Sequence, residues 1–210
     1  PELLAALERH FIRSGFDLKE LVRAITRSSA YQLSANPNAH NGADRQNYSR
    51  YYPRRLPAEV LLDAVDQACG TRTRFDRSGS EARAVDLPHE GFGSYFLDTF
   101  DRPKRVSGCE CERSSAATLG QVLLLSNSGE IESKLSSGDG LIDRAVKAKR
   151  PVAEVIDDMV LAAFARLPHA AEKQRLVQYV EKSSDEAQRR QAFEDVLWTL
   201  LNSKEFIYNH

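Results

Sequence analysis

The feature that most constrains this chain lies between Pro151 and Pro168. There Val152, Val155, Ile156, Met159, Val160, Ala163, Phe164 and Leu167 recur at i, i+3 and i+4 over four turns. An apolar stripe of that period can be buried in one piece only by a helix, because a strand would need a period of two. Pro151 suits a helix start and Pro168 a helix stop. No other stretch alternates convincingly like a sheet strand, and no fixed-period repeat emerges. The fold class that follows is mainly α: a multi-helix orthogonal bundle with a long irregular central segment, residues 1–210 forming a single domain.

The remaining helices are placed by the same logic. Leu3, Leu4, Leu7 and Phe11 predict a first helix, stopped near Gly15. Asp17 with Glu20 has capping-box spacing, Phe16 and Leu21 are placed for a hydrophobic staple, and Leu18, Leu21, Val22 and Ile25 form the expected buried face of a second helix. A third helix is expected from Pro57 to Gly70, with Val60 or Leu61, Leu62, Val65 and Cys69 inward. Residues 71–113 show no sustained period. An ordered irregular segment is expected around 92–113, with mobility near 76–82 and a small β pair somewhere in this central loop. Ser114 or Ser115 can cap a helix carrying Leu119, Val122, Leu123 and Leu125, in which Gly120 implies close packing. A polar break follows at Gly138-Asp139-Gly140. After the 151–167 helix, one helix runs to about Lys182, opened by His169 with Glu172. Ser183 with Glu186 then marks the start of the last long helix, whose inner face is Phe193, Val196, Leu197, Leu200 and Leu201. Ser203 caps a terminal turn that docks Phe206 and Tyr208.

Composition limits the function. Twenty-nine Lys and Arg face 30 Asp and Glu, a formal net charge of −1, which argues against a general polyanion binder and hence against nucleic acid. No apolar run approaches the roughly 20 residues of a membrane span. Three cysteines are too few for a disulfide framework.

The residues with chemistry to offer are few. Arg45 to Arg55 holds four arginines, three tyrosines and no acid. That mixture suits single-stranded nucleic acid, but the neutral overall charge favours tyrosine packing, with Arg54 and Arg55 paired to Glu59, Asp63 or carboxylates of the loop. Asp101, Arg102, Lys104, Arg105, Glu110, Glu112 and Arg113 can hold an irregular loop together, since its backbone needs hydrogen-bond partners. They can equally line a pocket for an anionic or sugar ligand recognised by arginine forks. The two basic and mixed-charge stretches are expected to meet. Cys109 and Cys111 are one residue apart: they can ligate a soft metal if other ligands converge, exchange disulfides, or simply pack a turn. Cys69 belongs to the core. Asp157 and Asp158 point about 100° apart on a helix and read as a solvated face. No G-x-S-x-G, H-E-x-x-H or Walker motif occurs, and no histidine stands beside a nucleophile. The chain thus carries no catalytic constellation.

Four segments taken together resemble a known family: residues 1–32, beginning PELLAALERHF; residues 50–64, RYYPRRLPAEVLLDA; residues 100–127, FDRPKRVSGCECERSSAATLGQVLLLSN; and the end, DVLWTLLNSKEFIYNH. In order and spacing they resemble the planctomycete-type C-terminal domain of unknown function, number fifteen-fifty-three. The resemblance implies the C-terminal part of a large extracytoplasmic protein that often carries a cytochrome-c-like domain, N-terminally trimmed here, with the other domains of its parent as partners. It implies no activity. A c-type haem needs C-x-x-C-H, which Cys109-Glu110-Cys111 does not supply, so no cofactor is expected in this chain and a haem would sit only on an upstream domain. The function expected is a non-catalytic helical accessory or interaction domain, periplasmic or at the cell surface, engaging a protein or polysaccharide. The alternative is an enzyme or ligand-binding domain with a polar site on the 92–113 loop, gathering Arg102, Arg105, Glu110, Glu112 and Arg113.

Overall fold

The structure, a computed structural model, describes residues 2–75, 82–89, 91–103, 120, 121, 125 and 128–209. Over these residues it is mainly helical, with packed helices and no closed sheet. The chain divides into two compact units, one ending at Arg54 and the other running Arg55–Asn209.

The first unit opens with α1 (Glu2–Arg13) and α2 (Leu18–Thr26), which pack on each other. The turn between them is made by Gly15 at φ +70 and Phe16 at φ +63. Asp17 caps α2, accepting from the backbone N–H groups of Lys19 at 2.8 Å and Glu20 at 3.1 Å. Glu20 does not complete the reciprocal box; its carboxylate pairs with Arg23 one turn on. Phe16 is largely exposed and stands edge-on to Phe11 with ring centroids 5.4 Å apart. The amphipathic pattern is as expected, yet no residue of α1 or α2 is buried, and Leu3, Leu4, Leu18, Val22 and Ile25 are exposed. Periodicity specifies that a helix has an apolar face, not that the same chain covers it. Beyond α2 the backbone is held by short polar turns. Asp44 accepts from the N–H groups of Gln46, Asn47 and Ser49 and from the Ser49 hydroxyl. These hydrogen bonds, the one from the Ser49 hydroxyl foremost, hold its carboxyl well below the usual carboxylate range. Two of the three tyrosines of this stretch pack together: the Tyr48 and Tyr52 ring centroids lie 5.7 Å apart, with the Arg50 guanidinium 5.1 Å from the Tyr52 ring.

The second unit is built around α3 (Ala58–Cys69), which packs against α4 (Tyr95–Thr99), α5 (Gly129–Leu135), α6 (Leu141–Lys147), α7 (Val152–Phe164), α9 (Glu186–Leu201) and a 3-10 turn at Ala84–Asp86. The helix is central because both of its flanks are apolar: Ala58, Leu61, Leu62, Val65, Ala68 and Cys69 are all buried, whereas Val60 points out. Gly70 ends it at φ +67, where a Cβ would lie 3.0 Å from the Leu141 backbone nitrogen and 2.5 Å from the Arg144 guanidinium. Only glycine allows both that conformation and that approach.

Helix α7 keeps Val155, Ile156, Met159 and Val160 buried, but ends at Ala165, in the left-handed region at φ +54, three residues short of Pro168. Leu167, expected inward, is therefore exposed. Helix α8 (Ala170–Glu181) packs on α7 and α9. The cap of α9 is Asp185, which accepts from the Gln188 N–H at 2.8 Å, rather than Ser183. Its inner face is buried as the sequence indicates. Ser203 caps α10 (Lys204–Ile207), and Phe206 is buried. The only strands among the described residues are β1 (Arg54–Arg55) and β2 (Tyr208–Asn209), which pair with each other. Among the described residues, then, the small β pair joins the segment just before α3 to the chain's last residues rather than lying within the central loop, and the Leu56 N–H donates to the Ile207 carbonyl at 2.9 Å. The expected mobile stretch near 76–82 lies, but for Ala82, outside the described residues.

Candidate functional site

Two groups of charged residues merit chemical inspection. The first is the arginine–carboxylate cluster read from sequence. Of its members, Arg54, Arg55 and Arg102 are described; Arg105, Cys109, Glu110, Cys111, Glu112 and Arg113 lie outside the described residues. Arg55 is the second residue of β1, and its side chain is only 7% exposed. Its guanidinium stands 5.4 Å from the Phe100 ring, donates to the Phe100 carbonyl at 3.4 Å, and lies 3.8 Å from the Asp101 carboxylate. Burial lowers its pKa, and Asp101 and Tyr208 oppose that. Arg55 and Asp101 are one point where the basic stretch and the mixed-charge loop meet. Arg54 is exposed. Arg102, also 7% exposed at the side chain, donates to the Phe92 carbonyl at 2.8 Å and to Asp98 at 2.8 Å. It ties the loop before α4 to the turn after it, where Asp101 sits at φ +60. Gln121, which the sequence did not single out, is 3% exposed and donates to the Thr99 carbonyl at 3.0 Å and to Asp101 at 3.1 Å. Gly120 is exposed rather than closely packed.

The second group was not visible in the sequence. On α3, Asp66 stands in helical register with Leu62 and Cys69, so it turns inward. One of its oxygens accepts from the Thr71 hydroxyl at 3.1 Å and from Lys134 of α5; the other accepts from the Thr73 N–H at 2.8 Å and the Thr73 hydroxyl at 2.7 Å. Lys134 also donates to the Thr73 hydroxyl at 2.7 Å, and its side chain is 8% exposed. The ring of donors and acceptors closes on itself. Burial pushes the adjacent Cys69 thiol up to about 12, which keeps it protonated and unreactive. Burial also raises the Glu130 pKa. One turn back on α3, Asp63 accepts from the backbone N–H groups of Ala84 at 2.7 Å and Val85 at 3.2 Å and pairs with Arg83 at 3.5 Å. A cavity of about 670 Å³ opens beside these residues, lined by Asp63, Asp66, Thr71, Arg72, Thr73 and Arg83 among others. Each oxygen of its two carboxylates accepts at least one hydrogen bond, which ties both side chains to the walls.

Elsewhere charges pair in small networks. Arg166 joins Glu172 at 2.9 Å and Glu205 at 2.6 Å, fixing the end of α7 to α8 and α10. Asp143 on α6 receives Lys147 at 2.7 Å and Arg190 at 3.0 Å. Asp157 and Asp158 diverge as expected, to Lys173 at 2.5 Å and Arg150 at 2.6 Å. Hydrogen bonds from Lys147, then Arg190, lower the Asp143 pKa, and a hydrogen bond from Arg166 lowers that of Glu172. A carboxylate whose folded pKa is depressed contributes stability above its unfolded pKa and loses it as pH falls through the folded one. Glu130, with a raised pKa, works in the opposite direction. Because the depressed group includes Asp44 as well, urea midpoints are expected to hold steady from pH 7 to 5. They should fall as pH drops below about 4, the unfolded carboxylate range; a midpoint rising over that interval would contradict these pairings.

Among the described residues no group of three or more His, Cys, Asp or Glu side chains could hold a metal ion, and no helix is long and apolar enough to cross a membrane. A family model described as PSD1, protein of unknown function (DUF1553), matches residues 1–180. Three of the four segments that carry the resemblance fall inside that match; the last, DVLWTLLNSKEFIYNH, lies beyond it. No curated protein and no solved structure gives a significant match. A match over 1–180 of 210 residues is enough to say that the chain belongs to the PSD1 (DUF1553) family of proteins of unknown function.

Proposed function

We propose that this chain is a non-catalytic helical accessory or interaction domain of a large extracytoplasmic protein associated with a cytochrome-c-like domain, and that any haem is held on that other domain. The observation that supports this reading best is the state of Arg55 and Arg102. A ligand site would aim such forks into a cleft, whereas both are buried and directed at backbone carbonyls and carboxylates, those of its own loop for Arg102 and those of the turn after α4 for Arg55. The Asp66–Lys134 ring, closed on itself, agrees with it. The exposed apolar faces of α1 and α2 supply surface for association, since large exposed apolar patches mark interaction sites more often than chance. The extracytoplasmic setting follows from the family resemblance.

The reading is tested by expressing this domain and the remainder of its parent polypeptide as separate chains and mixing them. Co-elution on size exclusion at micromolar concentration is the expected result. Separate elution would overturn the interaction role.

A further inference from the structure

We propose that α1 and α2 form a self-complementary docking surface that joins two copies of this chain across a twofold axis. This goes beyond the interaction-domain reading, which names no second copy. On α2, Leu18, Val22 and Ile25 follow at i, i+4 and i+7 and so share one face. They are 67%, 57% and 39% exposed. That is the spacing with which one helix packs on another. Leu3 and Leu4 at the start of α1, and Phe16 in the turn, are exposed as well. Leu7, Phe11 and Leu21 are half-buried, so the contact between α1 and α2 covers only part of the apolar side chains of the hairpin.

The order of charge along the hairpin selects the partner. On α1 both acids, Glu2 and Glu8, precede every base, Arg9, His10 and Arg13. On α2, Asp17 at the cap and Glu20 precede Arg23 and Arg27, and Lys19 alone departs from that order. Each helix is therefore acidic where it starts and basic where it ends. Among the described residues the only ion pair within α1 and α2 is Arg23 with Glu20, one turn apart on the same helix. A second α2 laid antiparallel on the first sets Leu18 of each copy opposite Ile25 of the other. The same arrangement sets the acidic start of each helix beside the basic end of its counterpart and opposes the two helix dipoles. A parallel neighbour of the same sequence puts like ends together. An anionic lipid surface matches the basic ends and is repelled by the acidic ones. With a second copy, the two apolar faces close on each other as paired hairpins do in a four-helix bundle.

The experiment measures mass by light scattering during size exclusion, in reducing buffer, on the whole chain at concentrations from about 1 to 100 μM. The expected result is a mass that rises from one chain to two with concentration. Val22→Glu sets a carboxylate in the middle of the contact and should raise the dimer dissociation constant about tenfold or more. Arg27→Glu makes the end of α2 acidic like its start and should weaken the dimer severalfold, an effect that fades at high salt. Both positions are exposed, so the variants keep their fold, and circular dichroism verifies that. A single-chain mass at every concentration, or a dimer undiminished in either variant, would overturn the proposal. So would a monomeric wild type whose co-elution with the parent polypeptide is lost in Val22→Glu, because that polypeptide would then be what covers this face. Failure of wild-type co-elution leaves the dimer measurement standing, so the two readings fail separately.

Discussion

Lys134→Met is expected to lower the unfolding free energy by about 3–5 kcal/mol, the range for removing one partner of a buried ion pair. Lys134 and Asp66 have side chains only 8% and 13% exposed, so neither charge reaches much water when the other is removed. The loss is expected to be this large because Asp66 is anchored where it stands. Its remaining donors, Thr71 and Thr73, are neutral and cannot replace an ammonium. The double variant Asp66→Asn with Lys134→Met should recover much of the loss, because no uncompensated charge remains. Urea titration of the wild type, both single variants and the double variant gives the coupling directly. Additive losses would show that the two side chains do not act as a pair.

Arg102→Ala is expected to cost about 2–3 kcal/mol. The guanidinium makes two charge-assisted hydrogen bonds, to the Phe92 carbonyl and to Asp98, and each such bond is worth more than a neutral one. Removing it leaves the Phe92 carbonyl, beside an 8% exposed ring, without this donor, and it frees the turn at Asp101. The short helix α4 should loosen with it, because α4 has five residues and too few hydrogen bonds of its own to persist unaided. Far-UV circular dichroism should change little while the urea midpoint falls.

The difference between what sequence reveals and what it hides follows from helix length and contact range. Helices α3, α7 and α9 run for three turns or more, long enough for the apolar period to show, and their expected inner faces pack into the core, with Val152, Ala163 and Phe164 only half-buried and Leu167 exposed. Helices α5 and α6 have seven residues each. Two turns give at most two inward positions, Ile131 with Leu135 and Ile142 with Ala145, which no periodic pattern separates from a polar break around Gly138-Asp139-Gly140. The cap of α9 was misplaced because Ser183, Ser184 and Asp185 are all competent caps, and only the geometry of the preceding turn selects Asp185. Asp66 was legible in one respect, since its register with Leu62 and Cys69 puts a carboxylate on an apolar face. Its partner was not, because Lys134 is 68 residues away. The arginines show the reverse. Composition marked Arg55 and Arg102 as important, but whether a fork faces a ligand or a backbone carbonyl depends on a loop conformation that sequence does not encode in any period.

That last distinction is the central claim: the buried arginines of the second unit hold its backbone rather than face a ligand. Urea unfolding of Arg102→Ala beside Glu132→Gln, a change at an exposed side chain of α5, tests it most directly. The account predicts a clearly lowered midpoint for Arg102→Ala and a midpoint within error of wild type for Glu132→Gln. An Arg102→Ala midpoint equal to wild type would contradict it, by showing that the guanidinium is dispensable to the fold and held ready for something else.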